Sequence, residues 1–115
     1  MKCHKCGGTA VIQMRQHRLQ LCAAHFIEWV TTTTQRAIET YQMFTPADRV
    51  LVAVSGGKDS LSLWDLLLNL GYQAEGLYIS LGIDEGIDYS AKSLEMCRKF
   101  IADHHPAALL HVVDV

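Results

Sequence analysis

The sequence predicts an α/β chain in which a parallel sheet carries helices on both faces and is preceded by a small metal-stapled module. Three observations carry this. Two cysteine/histidine knuckles of matched spacing, Cys3-x-x-Cys6 and Cys22-x-x-His25, stand at the start. From Val50 onward, apolar runs alternate with amphipathic segments across short connections, the pattern of parallel strands joined by crossover helices. Between the first such run and its helix lies a glycine-rich turn, Ser55-Gly56-Gly57-Lys58-Asp59-Ser60.

Size and composition agree with that reading. A chain of 115 residues, 50% hydrophobic and 19% charged with 2 prolines, excludes wholesale disorder. It has room for one ordinary domain, or for a small module joined to part of a larger one. No apolar run approaches the roughly 20 residues that cross a bilayer, and no signal-peptide core follows Met1. The expectation is a soluble, cytoplasmic chain with no membrane partner.

The cysteines are Cys3, Cys6, Cys22 and Cys97, and without a signal peptide they are expected to be reduced thiols. A two-residue spacer lets a tight turn aim both members of a knuckle at one point, and Zn2+ takes four such donors in a tetrahedron. Cys3, Cys6, Cys22 and His25 are therefore the expected zinc ligands. With no position left open for substrate, the site reads as structural. Gly7 and Gly8 are expected to supply the positive φ of the first turn. Val11 and Gln13, then Leu19, Gln20 and Leu21, alternate as the strands of a small ribbon. So short a stretch should lack a core of its own, and structural zinc contributes on the order of 10 kcal/mol or more to such modules. His4 and His17 read as solvated side chains, because the tetrahedron is already full.

From Ala23 to about Met43, Phe26, Ile27, Val30, Ala37, Ile38 and Tyr41 fall at helical spacing. The four threonines Thr31 to Thr34 weaken a helix through lost rotamer freedom, so an irregularity is expected there. Pro46 closes the segment, and Thr45 to Arg49 form the junction. The division expected is 1–27 as a zinc finger, 28–49 as connecting helix and linker, and 50–115 as the nucleotide-binding part.

Val50 to Val54 is a continuous apolar run, read as a strand buried on both faces. Asp59 to Leu70 is a helix with Leu63, Leu66, Leu67 and Leu70 inward and Gly71 as its stop. Ala74 to Ile79 is a strand, Ser80 to Asp88 a loop containing Gly82 and Gly86, and Tyr89 to about His105 a helix packed through Leu94, Cys97, Phe100 and Ile101. Leu109 to Val113 is the third strand. Cys97 reads as a buried packing thiol.

The turn at Ser55 to Ser60 carries the chemistry. Its glycines let backbone approach a ligand, and its amides meet the positive end of the helix dipole, which favours an oxyanion. Lys58 adds charge, and Ser55 and Ser60 can donate hydroxyl hydrogen bonds to phosphate oxygens. It is not a Walker A loop, since Val52 stands where that pattern needs glycine and Asp59 where it needs Ser or Thr. Nor is it the dinucleotide fingerprint, since Ser60 replaces its last glycine. An aspartate in a phosphate loop repels the ligand unless a cation lies between, so Asp59 is the expected Mg2+ ligand. The plainer alternative makes Asp59 a helix N-cap.

Ser55-Gly56-Gly57-Lys58-Asp59-Ser60 after a valine-rich strand resembles the pyrophosphate loop (PP-loop) of the adenine nucleotide alpha-hydrolase-like ATPases. The preceding knuckle pair resembles the N-terminal zinc finger of the TtuA/TtcA-like tRNA 2-thiouridine synthetases, most closely the TtuA branch, and the likeness extends through Gly76-Leu77-Tyr78-Ile79-Ser80-Leu81-Gly82-Ile83. The resemblance implies a Rossmann-like sheet and ATP-dependent 2-thiolation of a tRNA uridine. ATP adenylates the uridine O2, pyrophosphate leaves, and sulfur displaces AMP. It also implies ATP binding by Ala53, Val54, Ser55, Gly56, Gly57, Lys58, Asp59, Ser60 and Ile79. The strand tips at Ala53 to Ser55 and around Ile79 would line the adenosine pocket, largely through backbone groups. A ubiquitin-like sulfur-carrier protein and a homodimeric full-length form are further implications.

Full-length family members carry more cysteines, which hold a 4Fe-4S cluster or deliver sulfur, and a second zinc finger. The expectation is that 115 residues form an N-terminal portion that binds ATP-Mg2+ weakly and does not thiolate tRNA. Two other readings stay open: a different PP-loop AMP-forming ligase, and a non-catalytic zinc- and nucleotide-binding adaptor. The first 49 residues carry six basic side chains against three acidic ones and the rest four against nine, so the first half meets a polyanion more easily.

Overall fold

The computed structural model describes residues 1–80 and 87–114. The chain divides into two compact units, Met1–Met43 and Phe44–Val115.

In the first unit, β1 (Ile12–Met14) and β2 (Leu19–Leu21) form the expected antiparallel ribbon, with Ile12 opposite Leu21 and Met14 opposite Leu19. A single 3-10 turn, Arg15–His17, joins them, closed by Arg18 at φ 51°. This register turns Met14 and Leu21 inward and leaves Val11 exposed. Cys3, Met14 and Leu21 are buried together, with Ile12, Leu19, Cys22, Phe26 and Trp29 packed around them. The module thus has a small apolar core beside its knuckles, contrary to the expectation that it has none.

Helix α1 (Ala23–Thr40) runs unbroken through the threonines. Thr31 Oγ1 donates to the Ile27 carbonyl at 2.7 Å, so its hydroxyl finds a partner inside the helix instead of competing with it. The anticipated apolar face is only partly buried: Ile38 is enclosed, whereas Ile27 and Tyr41 are exposed.

In the second unit, β3 (Arg49–Ala53), α2 (Lys58–Asn69), β4 (Gln73–Ser80), α3 (Ile87–His104) and β5 (Leu110–Asp114) follow the expected order, each boundary within two residues. The sheet is parallel with order β3-β4-β5; Ala53 pairs with Leu77 and Leu77 with His111. Most of the anticipated loop after Ser80, including Gly82 and Gly86, lies outside the described residues, as do Leu81 to Ile83.

Helix α2 ends on a Schellman-type stop. Gly71 takes φ +92°, its N–H donates to the Leu68 carbonyl, and the Tyr72 N–H donates to the Leu67 carbonyl. Its inward face is rotated from the expected one: Trp64 and Leu67 are buried and Leu63 is exposed. The reason is Gly76 in β4, whose missing side chain leaves room for the indole, tied by Trp64 Nε1–H to the Ala74 carbonyl at 3.0 Å.

Burial on both sheet faces is also corrected. Val52, Val54, Ala74 and Tyr78 are buried on the face that receives Trp64, whereas Leu51 is 59% and Ile79 48% exposed on the other. Sequential strands that neighbour each other, linked by crossovers of one hand, put both helices on one face. Consistently, α2 packs on β3, β4 and α3, with the Trp64 and Phe100 rings 5.4 Å apart.

Candidate metal centre and phosphate loop

The ribbon and the start of α1 bring the two knuckles to one point. Cys3 N–H donates to the Gly8 carbonyl at 2.7 Å and Gly7 N–H to the Cys3 carbonyl at 2.9 Å, forming the first turn. Gly7 sits at φ +74°, as anticipated. Gly8 does not take positive φ, and a Cβ there would meet the Cys6 sulfur only at an ordinary contact distance of 3.4 Å, so the turn does not require glycine at this position. The second knuckle is a helix start, with Cys22 at the N-cap of α1 and His25 in its first turn.

The ligand atoms of Cys3, Cys6, Cys22 and His25 all lie within 4.8 Å of one another. His25 Nδ1 is 3.2 Å from Cys22 Sγ and 3.6 Å from Cys3 Sγ, and Cys6 Sγ is 3.9 Å from Cys22 Sγ. Zinc–sulfur bonds of about 2.3 Å place tetrahedral donors about 3.7 Å apart, so these spacings bracket those of a tetrahedral site, and a small contraction of the widest would close it on a metal ion.

The local electrostatics ask for a cation. Burial works to raise the Cys3 pKa, but backbone N–H groups of Cys22, Cys6 and Lys5 outweigh it and bring the thiol down to about 6. Cys6 moves the other way. The Gly8 amide lowers it, yet the neighbouring Cys3 and Cys22 thiols, with burial, push it up. Ionising several thiols this close is opposed by their mutual repulsion, which a cation between them relieves. His4 and His17 stand outside the cluster, both exposed. His4 Nδ1 accepts from Gln20 N–H at 3.4 Å, and His17 lies 5.1 Å from the Trp29 ring.

In the second unit the glycine-rich turn leaves the C-terminal end of β3 and enters α2. Gly56 takes φ +86°, and Gly57 is the N-cap of α2 with no side-chain cap. Asp59 is therefore not an N-cap; it sits exposed in the first helical turn. The turn is closed by its own serines: Ser60 Oγ accepts from Ser55 N–H at 3.1 Å and donates to the Gly57 carbonyl at 3.2 Å, with the two hydroxyl oxygens 3.3 Å apart. Lys58 lines a cleft of about 210 Å³ with Leu61, Ser62, Asp65, Phe100 and His104. Ala53 is exposed beside the turn, whereas Val54 is buried and donates its N–H to Leu77 at 2.9 Å. Ile79 shares the exposed face with Ala53, two residues beyond Ala53's partner Leu77.

Two constellations were not anticipated. Arg49, Glu75 and His111, one from each strand, meet on the exposed sheet face: Arg49 donates to both Glu75 oxygens at 2.8 and 3.0 Å, and His111 Nε2 lies 2.7 Å from Glu75 Oε1. Hydrogen bonds from Arg49 first and His111 second bring the Glu75 pKa down to about 2. On the helix side, His105 Nε2 lies 2.6 Å from Asp65 Oδ1. No local pattern announces either group, because partners 26 to 40 residues apart meet only through strand register and helix packing.

Fold and site together define an α/β protein with a glycine-rich loop at the tip of a parallel strand and an N-terminal Cys/His metal knuckle. Comparison with known proteins narrows this. Residues 2–27 match the family model for the N-terminal LIM domain of 2-thiouridine synthetase TtuA. The chain is 53% identical over 100 residues to the tRNA-5-methyluridine(54) 2-sulfurtransferase of Thermus thermophilus, covering 87% of this chain and 30% of that protein. It is 36% identical over 114 residues to the protein of the same name from Thermotoga maritima, covering 99% of this chain and 36% of the relative. Its fold matches that of the U34-tRNA thiolase NcsA from Methanococcus maripaludis, solved with its [4Fe-4S] cluster, at a TM-score of 0.79 and 21% identity over 99% of this chain and 38% of that one. The chain is TtuA-like, and it spans about a third of the length of the relatives it matches. Among the described residues, no helix is long and apolar enough to cross a membrane.

Proposed function

We propose that this chain is the zinc- and ATP-binding portion of a tRNA 2-sulfurtransferase, with residues 1–27 as zinc finger, 28–49 as connection and 50–115 as part of the ATP-binding domain. The observation that carries the reading is the pairing, in one TtuA-like chain, of a four-ligand metal knuckle with a phosphate loop that contains an aspartate.

The residues divide the work. Cys3, Cys6, Cys22 and His25 hold Zn2+ as a structural ion that fixes the ribbon to α1. Ser55 to Ser60 hold the ATP phosphates against backbone amides and the N-terminus of α2, with Lys58 offsetting charge and Asp59 holding Mg2+. Ala53, Val54 and Ile79, at the strand ends, receive the adenosine. In the reaction the O2 of a tRNA uridine attacks the α-phosphorus, the α–β bridging bond breaks, and pyrophosphate leaves with the negative charge that the loop holds. Sulfur then adds at C2, and AMP departs with the former O2. Three of the four cysteines of this chain belong to the metal knuckle and Cys97 is fully buried, so sulfur delivery falls to groups other than these. A ubiquitin-like sulfur carrier, a homodimeric full-length form and a 4Fe-4S cluster complete the proposal by family likeness.

The test is titration of the zinc-loaded chain with ATP-Mg2+ by calorimetry, alongside mass spectrometry of tRNA incubated with the chain, ATP and sulfide. Weak ATP binding lost in Lys58→Ala and Asp59→Asn, with no thiolated uridine, is expected. No ATP binding by the folded chain, or thiolated tRNA formed by it, would overturn the proposal.

A further inference from the structure

Outside its metal cluster, the N-terminal module carries cations and no anions. Residues 1–27 hold Lys2, Lys5, Arg15 and Arg18 and no acidic side chain; the first in the chain is Glu28. All four cations are exposed, and among the described residues none has a carboxylate partner. Strand alternation sorts the ribbon into two faces. Ile12, Met14, Leu19 and Leu21 pack on the module's core, so Gln13 and Gln20, directly opposite each other, fall on the outward face. The turn at the ribbon's tip, closed by the Arg18 N–H on the Arg15 carbonyl at 3.1 Å, brings both arginines to the same end. The result is a cleft of about 330 Å³ whose polar lining is His4, Gln13, Arg15, Arg18 and Gln20. The Gln20 N–H donates to His4 Nδ1 at 3.4 Å and Gln20 Nε2 to the Lys2 carbonyl at 3.2 Å, which ties the start of the chain to the ribbon beside this cleft.

Two guanidinium groups with no acidic neighbour are a phosphate-binding pair, because the planar fork of each matches two phosphate oxygens. The glutamine amides both donate and accept, which suits ribose hydroxyls and base edges. The second unit is the poorer platform for a polyanion, since residues 44–115 carry five basic side chains against ten acidic ones. We infer that the outward face of the ribbon binds an RNA backbone, with Arg15 and Arg18 on phosphates and Gln13 and Gln20 against the sugars or bases beside them. Cys3, Cys6, Cys22 and His25 take no part in the contact; they hold the ribbon in place. The choice of RNA over another polyanion rests on the function proposed above; the anion-binding character of the face does not.

The test is fluorescence anisotropy of a labelled, unmodified tRNA transcript titrated with the zinc-loaded chain at several salt concentrations, with bound zinc measured for every variant. The variants are Arg15→Gln with Arg18→Gln, Gln13→Ala, and Arg36→Gln, whose exposed arginine lies on α1 instead of the ribbon. The double arginine variant should bind roughly tenfold more weakly, and the slope of log affinity against log salt should fall by about 1.5. Gln13→Ala should weaken binding about threefold with the slope unchanged, and Arg36→Gln should change affinity by less than about twofold. Equal zinc content separates lost contacts from a lost fold; should the double variant bind no zinc, Arg15→Gln and Arg18→Gln singly, each lowering the slope by about 0.7, carry the test. No RNA binding by the zinc-loaded wild type, or an equal loss in Arg36→Gln, overturns the inference. Polyglutamate that displaces the RNA at equal charge concentration overturns the assignment to RNA. RNA binding that depends on the two arginines in a chain that binds no ATP-Mg2+ upholds this surface and refutes the nucleotide-binding part of the proposed function.

Discussion

Gly76→Ala is the substitution whose cost can be worked most directly from the geometry. Gly76 lies in the central strand beneath the Trp64 indole, and a Cβ there would stand 2.7, 2.9 and 3.0 Å from Trp64 Cη2, Cζ2 and Cζ3. Carbon atoms settle at about 3.5–4.0 Å, so strand or ring must yield by nearly an ångström. Trp64 has no surface to retreat to, being fully buried with Phe100 beside it. Turning it also breaks its Nε1–H bond to the Ala74 carbonyl. Overpacking costs about 1–3 kcal/mol and the net hydrogen bond about 0.5–1.5, for a total near 2–4 kcal/mol. In a unit of this size that lowers Tm by roughly 10–25 °C. Urea and thermal unfolding in a Trp29→Phe background, where fluorescence reports Trp64 alone, measures it. Repeating Gly76→Ala with Trp64→Phe, followed by circular dichroism because the fluorescent reporter is then gone, removes the atoms in conflict, and the cost should fall below about 0.5 kcal/mol. A small loss in the first background, or an undiminished one in the second, would show that the indole does not fill this space.

Two further outcomes follow from the ion sites. The reduced chain should bind one equivalent of zinc, which Cys22→Ala abolishes, and chelation should unfold residues 1–43 while leaving the second unit folded, read by zinc release and NMR of each unit. The Glu75 carboxyl, held near 2 against an ordinary 4.5, stabilises the fold fully above pH 4.5. Below that the unfolded chain takes up a proton that the native one refuses, so stability falls between pH 4.5 and about 2. Glu75→Gln should flatten the Tm profile across that interval only, and an unchanged slope would remove Glu75 from the account.

Legibility followed distance along the chain. Cys3, Cys6, Cys22 and His25 were readable because a two-residue spacer builds each knuckle locally, and the ribbon only has to bring the two together. The same holds for the turn from Ser55 to Ser60 and the stop at Gly71, whose conformations depend on their own glycines. Facing was less legible. Leu63 and Trp64 are adjacent and both apolar, so periodicity could not say which points inward; the empty space over Gly76 decides it. In Val50 to Val54 the valines at 52 and 54 are buried while Leu51 is open, a distinction a continuous apolar run conceals.

By itself the sequence determined the α/β order, the metal knuckles and the phosphate loop, since each is fixed by residues within a few positions of one another. Only the tertiary structure decided that both crossover helices share one face, that Arg49, Glu75 and His111 meet across three strands, and that α3 brings the Ser93 backbone against Gly56. Those contacts join residues 26 to 37 positions apart. They depend on strand register and the seating of helices on the sheet, which short-range sequence pattern does not encode.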